Sequence, residues 1–308
     1  MTISDFSKNK VITLISVCIA TFKRQLLLEQ LLESLSKLLI PENTEIEIII
    51  VDNDKDRSAE NVVQKFKTLT NFQVSYFVQP IKNISITRNK ALENAKGNLI
   101  AFIDDDETAD EKWLYNLYNC LKNYNSDGVF GLVVPRFEEG INDKFKKREY
   151  FFSNMGVTGT EAKYMFAGSV LFKSELVKKN KIFFDPEYGI TGGEDSDFFN
   201  RLKQHGARFI NCREAISYEF ISKERTTRKF FYNRFIRGGQ TYARNFIKHK
   251  GEFFIGILIP KAFAKILIGT ALLLPGFFHT KFGIKSLSLL GSGIGEIRGS
   301  LGFYKNIH

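Results

Sequence analysis

Residues 99–113 read LIAFIDDDETADEKW, so Asp104, Asp105, Asp106 and Glu107 follow directly on a short apolar run. Ionising four adjacent carboxylates raises their energy unless a cation or strong hydrogen-bond donors offset the repulsion. A hard divalent ion takes one or two protein carboxylates and completes its shell with water and substrate phosphates. The run therefore points to a magnesium or manganese site that holds a phosphate ester. The plainer alternative is a solvated acidic turn in which Thr108 or Asp110 caps the next helix.

Three other groups could share such chemistry. Asp52 and Asp54 close the apolar stretch IEIIIVDND, and Asp52 could accept a hydrogen bond from a nucleobase or ribose. Arg88 and Asn89 stand in SITRNKAL, where an arginine can pair with a diphosphate. Glu194, Asp195 and Asp197 follow Gly192 and Gly193, which permit a sharp turn before a helix. Acids at a helix start also have a purely electrostatic explanation in the helix dipole.

The elements that must position these groups follow from periodicity. Val11–Ala20 is a β-branched apolar run, expected as a strand buried on both faces. Leucines from Leu27 to Leu39 recur at helical spacing, with Pro41 as the expected end. Strands are expected at 46–52, 73–78 and 98–103, with helices over 59–69 and 85–95 between them and Gly97 as a C-cap. Such alternation implies an α/β fold with a mostly parallel sheet covered by helices, in which ligands sit beyond the carboxyl ends of the strands. Both the Asp52 group and the Asp104 group fall at that edge. Further along, 110–121 reads as helix and 128–134 as a strand, 166–172 is apolar again, and 194–205 reads as an amphipathic helix ended by Gly206. Two short strands are expected at 208–211 and 215–220, then a basic helix over 226–249.

SVCIATFKR, IIIVDND, ITRNKAL, LIAFIDDDE and GGEDSDFFNRLKQHGARF, in this order, resemble the family 2 glycosyltransferases of the GT-A fold, above all bacterial members of the exopolysaccharide, succinoglycan type. The resemblance covers residues 11 to about 220 and extends less specifically to about 240. It implies inverting, metal-dependent sugar transfer from a nucleoside diphosphate sugar, with UDP favoured. It further implies that Ala20 and Thr21 line the nucleotide pocket, that Asp52 contacts the base, and that Arg88 lies near the base or diphosphate. Asp104–Asp106 match the DxD element: Asp106 is the expected direct contact of a Mn2+ or Mg2+ ion, Asp104 stands beside it, and Asp105 is an alternative partner of the ribose. Asp195 matches the general base, with Glu194 at its side. Many relatives carry a histidine near the metal where this chain has AISYEF; Glu219 is the carboxylate that could replace it, or it pairs with the basic stretch that follows. KERTTRKFFYNR lacks the QxxRW signature of processive synthases, which implies one sugar added per event.

The charge is asymmetric. Residues 1–220 carry 29 Lys and Arg against 31 acids, whereas 221–308 carry 15 against three, so the tail holds the whole basic excess of this +10 chain. Residues 253–278 contain no acid and only Lys261 and Lys265 as charges, which argues against nucleic acid and for an anionic membrane surface. Pro260 and Pro275 interrupt the run, so it is expected to lie in the interface rather than to span it; a buried helical hairpin is the competing reading. The expected organisation is a catalytic domain over 1–220 and a membrane-associating tail over 221–308, acting at the cytoplasmic face of the cell membrane on a lipid-linked or glycan acceptor. Cys18, Cys120 and Cys212 are scattered, as reduced cytosolic thiols would be. Lys8 and Lys10 before an apolar run mimic a signal sequence, but no small-residue cleavage site follows. Acid clusters at strand ends also serve metal-dependent nucleotidyltransferases and phosphohydrolases, and a silent nucleotide-sugar-binding scaffold is the third class considered.

Overall fold

A computed structural model describes residues 12–152 and 155–304; Lys8, Lys10 and Val11 lie outside them. In chain order the elements are β1 (Thr13–Thr21), α1 (Gln25–Leu35), β2 (Thr44–Asp52), α2 (Glu60–Leu69), β3 (Gln73–Val78), α3 (Ile84–Asn94), β4 (Leu99–Ile103), β5 (Glu107–Ala109) and α4 (Trp113–Asn123). There follow β6 (Gly128–Phe137), β7 (Ser169–Lys173), α5 (Glu175–Asn180), α6 (Glu194–Gln204), β8 (Phe209–Ile221), α7 (Arg228–Lys250), α8 (Ile255–Ala271), α9 (Leu273–Phe278) and α10 (Thr280–Ser300). Two compact units emerge. The first takes Met1–Val133, Met155–Phe184 and Phe198–Tyr218; the second takes Val134–Asn154, Asp185–Asp197 and Glu219–His308. The second thus includes two segments from the stretch expected to be purely catalytic domain.

The sheet runs β3-β2-β1-β4-β7-β6-β8-β5. β1, β2, β3 and β4 are parallel, while β7 pairs antiparallel with β4 and with β6. Alternation on β1 explains why it is apolar throughout. Ile15, Val17 and Ile19 pack on one face with Leu28, Leu31, Leu32 and Leu35 of α1 and with Trp113 and Leu117 of α4. Cys18 faces the other way, among Ile49, Val51, Phe102, Phe172, Phe198 and Phe199. A strand buried on both faces has no polar side to show. Register then decides the site: Thr21 stands opposite Asp52 at the carboxyl ends of β1 and β2.

Several boundaries differ from expectation for local reasons. The strands expected at 208–211 and 215–220 are one continuous strand, β8, whose exposed Arg213 and Glu214 masked its continuity. Helix α1 ends at Leu35, well before Pro41. Gly97 is not a C-cap, since α3 ends at an extended Ala95. Gly97 allows a close approach instead: a Cβ there would lie 2.6 Å from Ser16 Oγ and 2.7 Å from the Ser16 backbone nitrogen. The Ser16 hydroxyl donates to Glu47 Oε1 at 2.5 Å and accepts from the Gly97 amide at 2.8 Å, and Glu47 also accepts from the Lys96 amide at 2.7 Å.

In the second unit, Phe151, Ile221, Phe231 and Ile284 form the core, bordered by Phe137, Phe145 and Phe235. Helix α10 meets α7 through Gly291, Gly295 and Gly299. A Cβ at Gly295 would stand 2.1 Å from the Ile236 carbonyl oxygen, and one at Gly299 would stand 2.8 Å from that of Gln240. Small residues four apart bring helix backbones together in this way, independently of bulky side chains. Helix α8 runs through Pro260 without a break, contrary to the expected interruption. Residues Glu252–Ala271 are long and apolar enough to cross a membrane.

Gly97→Ala is expected to destabilise the protein by about 1–3 kcal/mol, because the backbone and the buried Ser16–Glu47 network must shift to admit a methyl group. Denaturant unfolding checks this, and a cost near zero would mean that the turn yields freely.

Candidate active site

The acidic turn lies in the first unit and is met by two arginines. The Thr21 hydroxyl donates to Asp105 Oδ2 at 2.8 Å, and Arg24 Nη1 donates to Asp105 Oδ1 at 2.9 Å and to Asp106 Oδ2 at 3.1 Å. Arg88 Nη2 donates to Asp104 Oδ1 at 3.0 Å, and its guanidinium lies 5.7 Å from the centroid of the Phe184 ring. Burial pushes the Asp105 carboxyl up to about 6 despite the attraction of Arg24, with Asp106 adding repulsion. Glu107 points back toward Gly168, where a Cβ would lie 2.3 Å from its Oε1 and 3.2 Å from Asp104 Oδ2. Only a glycine leaves these acids their room.

The three consecutive aspartates differ in access. The Asp105 side chain is 7% exposed, Asp106 15% and Asp104 40%. Asp104 and Asp106 therefore offer two reachable carboxylates, the number a hard divalent ion takes when phosphates complete its shell. The donor set fits such an ion, with Asp106 and Asp104 as the residues that would hold it. Among the described residues no three His, Cys, Asp or Glu side chains form a complete metal cage.

Asp52 is placed differently from the reading that gave it to a base. It is fully buried, and its carboxylate accepts from the Asp54 amide at 2.9 Å, the Ala59 amide at 2.8 Å and the Tyr76 hydroxyl at 2.9 Å. Asn53 fixes the neighbouring segment through the carbonyls of Gln79 and Ile81 and the amide of Asn83. Asp52 and Asn53 thus tie together the segments that follow β2 and β3. Ala20 is half-buried at the end of β1, beside the buried Thr21.

The second group of acids lies in the second unit. Gly192 and Gly193 take φ of 85° and 94°, and α6 begins directly after them. Asp197 is fully buried and bonded to Lys248 Nζ at 2.9 Å, and Lys248 also reaches Asp185 at 2.8 Å. Arg244 Nη2 binds Glu187 at 2.8 Å and lies 3.7 Å from the centroid of the Tyr188 ring. The amides of Thr191 and Gly192 close the turn onto the Tyr188 carbonyl at 3.1 and 2.8 Å. Helix α7 therefore pins this segment on both sides of Asp195. Glu194 is buried, whereas Asp195 is half-buried, with its Oδ1 accepting from the Ser196 amide at 2.7 Å. Glu219 is engaged by Arg225, as in the pairing alternative.

Sequence reasoning missed Arg24, Gly168 and Lys248. Arg24 sits three residues beyond the end of β1, at the edge where both acid groups had been placed, and that shared edge was the available signal. Gly168 and Lys248 act across long stretches of chain that spacing does not connect.

The family model described as Glycosyl transferase family 2 matches residues 16–180. The succinoglycan biosynthesis protein ExoM of Rhizobium meliloti (strain 1021) is 29% identical over 231 residues, which are 75% of this chain and 74% of ExoM. The poly(ribitol-phosphate) beta-N-acetylglucosaminyltransferase TarS of Staphylococcus aureus (strain Mu50) is 25% identical over 216 residues, 68% of this chain but only 36% of that protein. Among solved structures, the mannosyltransferase PcManGT from Pyrobaculum calidifontis in complex with GDP-Man and Mn2+ superposes with a TM-score of 0.67 at 16% identity, covering 94% of this chain and 87% of that one. This likeness shows the fold, the GT-A arrangement expected from the sequence motifs.

The contrast between the acids of α6 is testable by unfolding. Lys248→Met is expected to cost about 1–3 kcal/mol, because a carboxylate with no access to water loses its cation. Asp195→Asn is expected to change stability by no more than about 1 kcal/mol, the scale of a helix-dipole contact. Equal costs would remove the distinction between a structural and a working acid.

Proposed function

This chain belongs to glycosyl transferase family 2, and from that premise we propose that it transfers a sugar, with inversion, from a nucleoside diphosphate sugar to a lipid-linked saccharide in surface polysaccharide synthesis. The observation that carries the reading is the Thr21–Arg24–Arg88 frame around Asp104–Asp106 at the carboxyl ends of β1 and β4. It keeps a dense negative cluster folded while leaving Asp104 and Asp106 accessible. A divalent cation bound there would neutralise charge on the departing diphosphate. Arg88 and Arg24 add fixed positive charge on the same side, and Thr21 and Asp105 are suited to the ribose. UDP is the favoured nucleotide, since solved neighbours include TarS in complex with UDP-GlcNAc, with GDP as the alternative.

On the acceptor side Asp195 is the general base. The acceptor hydroxyl oxygen forms a bond to the anomeric carbon as the bond from that carbon to the diphosphate oxygen breaks. The diphosphate leaves with the electron pair, and the hydroxyl proton passes to Asp195. Of the three acids at the start of α6, Asp197 is spent on Lys248 and Glu194 is buried, whereas Asp195 retains access.

Attachment to the membrane rests on the second unit. Phe253, Phe263, Leu267, Leu274, Phe277 and Phe278 are exposed, so the region of α8 and α9 leaves much of its apolar surface uncovered. A surface of that kind favours the lipid interface at the cytoplasmic face, with the basic residues of α7 drawn to anionic headgroups.

Asp195→Asn is expected to lower turnover by about 10²- to 10⁴-fold while UDP-sugar binding in the presence of manganese, read by thermal shift, is retained. Asp106→Ala should abolish the manganese-dependent part of that shift. Normal turnover of the Asp195 variant, or an enzyme indifferent to chelator, would overturn the assignment. Replacing Leu267, Leu274, Phe277 and Phe278 together by Ser is expected to release the protein from anionic vesicles in a flotation assay; undiminished flotation would remove these residues from the attachment surface.

A further inference from the structure

The second unit carries an open pocket of about 540 Å³ whose walls include Thr191 and Gly193 of the turn before Asp195, Arg234, Arg237 and Thr241 of α7, and Ser292 of α10. A space of this size accommodates a small polar ligand. Its one acid, Glu296, is neutralised by Lys265, so the two arginines set the sign of the cavity. Neither arginine makes an ion pair among the described residues. The nearest candidate acid, Glu219, is engaged by Arg225, and Arg234 spends one donor on the Phe151 carbonyl. Both guanidiniums are held below their usual range, chiefly by burial; Glu219 offsets part of this at Arg234, and Arg225 adds repulsion in each case. Two guanidiniums gathered beside one pocket whose only carboxylate is already paired with Lys265 are costly in the free protein, and a guanidinium's planar fork of donors matches the oxygens of a phosphate. The turn that forms one wall is seated closely on α7: a Cβ at Gly193 would lie 2.3 Å from Thr241 Cγ2. The same short turn leads directly into Asp195.

We propose that this cavity binds the acceptor's phosphate, with Arg234 and Arg237 holding the phosphate or diphosphate ester that joins a lipid to the glycan receiving the sugar. The inference rests on the glycosyltransferase reading and adds the chemical class of the acceptor. The donor's diphosphate is a poorer fit, because the cavity offers no unpaired carboxylate to share a cation with it. The exposed apolar side chains of α8 and α9 belong to the same unit and suit a ligand whose phosphate is carried on a hydrocarbon chain.

The test is titration calorimetry of the full chain with inorganic pyrophosphate, in chelator and at physiological salt, where metal-dependent donor binding is suppressed. Binding is expected in the wild type, weakened about tenfold in Arg237→Gln and partly restored in Arg237→Lys. Arg237 is only half-buried, so its replacement spares the core, and Arg234→Gln serves as the second variant. No binding, or binding indifferent to both arginines, overturns the proposal. Phosphatidylcholine vesicles doped with a polyprenyl diphosphate should then recruit the wild type more strongly than Arg237→Gln, whereas vesicles doped with phosphatidylglycerol should recruit both alike. Equal dependence on Arg237 in both arms would assign the cavity to lipid headgroups and overturn the acceptor assignment. Nucleotide-sugar binding is read separately by thermal shift. If nucleotide sugars fail to bind while pyrophosphate binds through Arg237, the glycosyltransferase reading fails and the acceptor assignment falls with it, leaving a measured anion site.

Discussion

Carboxylates crowded at the end of a buried strand repel one another, and the first unit is arranged around the means of tolerating them. Arg24 reaches Asp105 and Asp106 from the turn after β1, and Arg88 reaches Asp104 from α3. These contacts require parallel β1 and β4 to be neighbours, with their carboxyl ends at one edge. Gly168, just before β7, completes the arrangement by leaving out a side chain that would collide with Glu107. The consequence is a cluster in which Asp105 is locked and Asp104 and Asp106 remain reachable. Repulsion in the free protein is thus limited without consuming the groups that a cation or diphosphate would use.

The second unit solves a different problem. Asp195 sits in the first turn of α6, directly after the sharp turn at Gly192 and Gly193. Arg244 and Lys248, one helical turn apart on α7, hold the chain before and after it through Glu187, Tyr188, Asp185 and Asp197. Helix α7 is held in turn by α10 along Gly291, Gly295 and Gly299, where backbones approach too closely for side chains. Rigid support for the start of α6 therefore comes from the basic tail, and the same helix lends Arg234 and Arg237 to the neighbouring pocket. A tail that reads as a membrane anchor in composition is also the scaffold of that segment. Its core residue Phe231 packs on Phe151, so removal of the tail would strip the unit of its interior.

What could be read along the chain was whatever depends on neighbours in sequence. Apolar runs bounded by acids announced β1, β2 and β4, helical leucine spacing announced α1, and the strand–helix alternation implied a parallel sheet and hence a functional edge at Asp52 and Asp104. The start of α6 was likewise legible, because two glycines and a run of acids at a helix start are local features. Only the folded chain decided how these acids divide their duties. Asp52 closes a loop, Asp197 is bound to Lys248, and Glu219 is engaged by Arg225, because each meets a partner brought in by tertiary packing. Composition counts the cations of α7 but carries no record of which ones face inward. The residue types were set by the sequence, and their tasks were set by which charges the fold shields from water and which it leaves within reach.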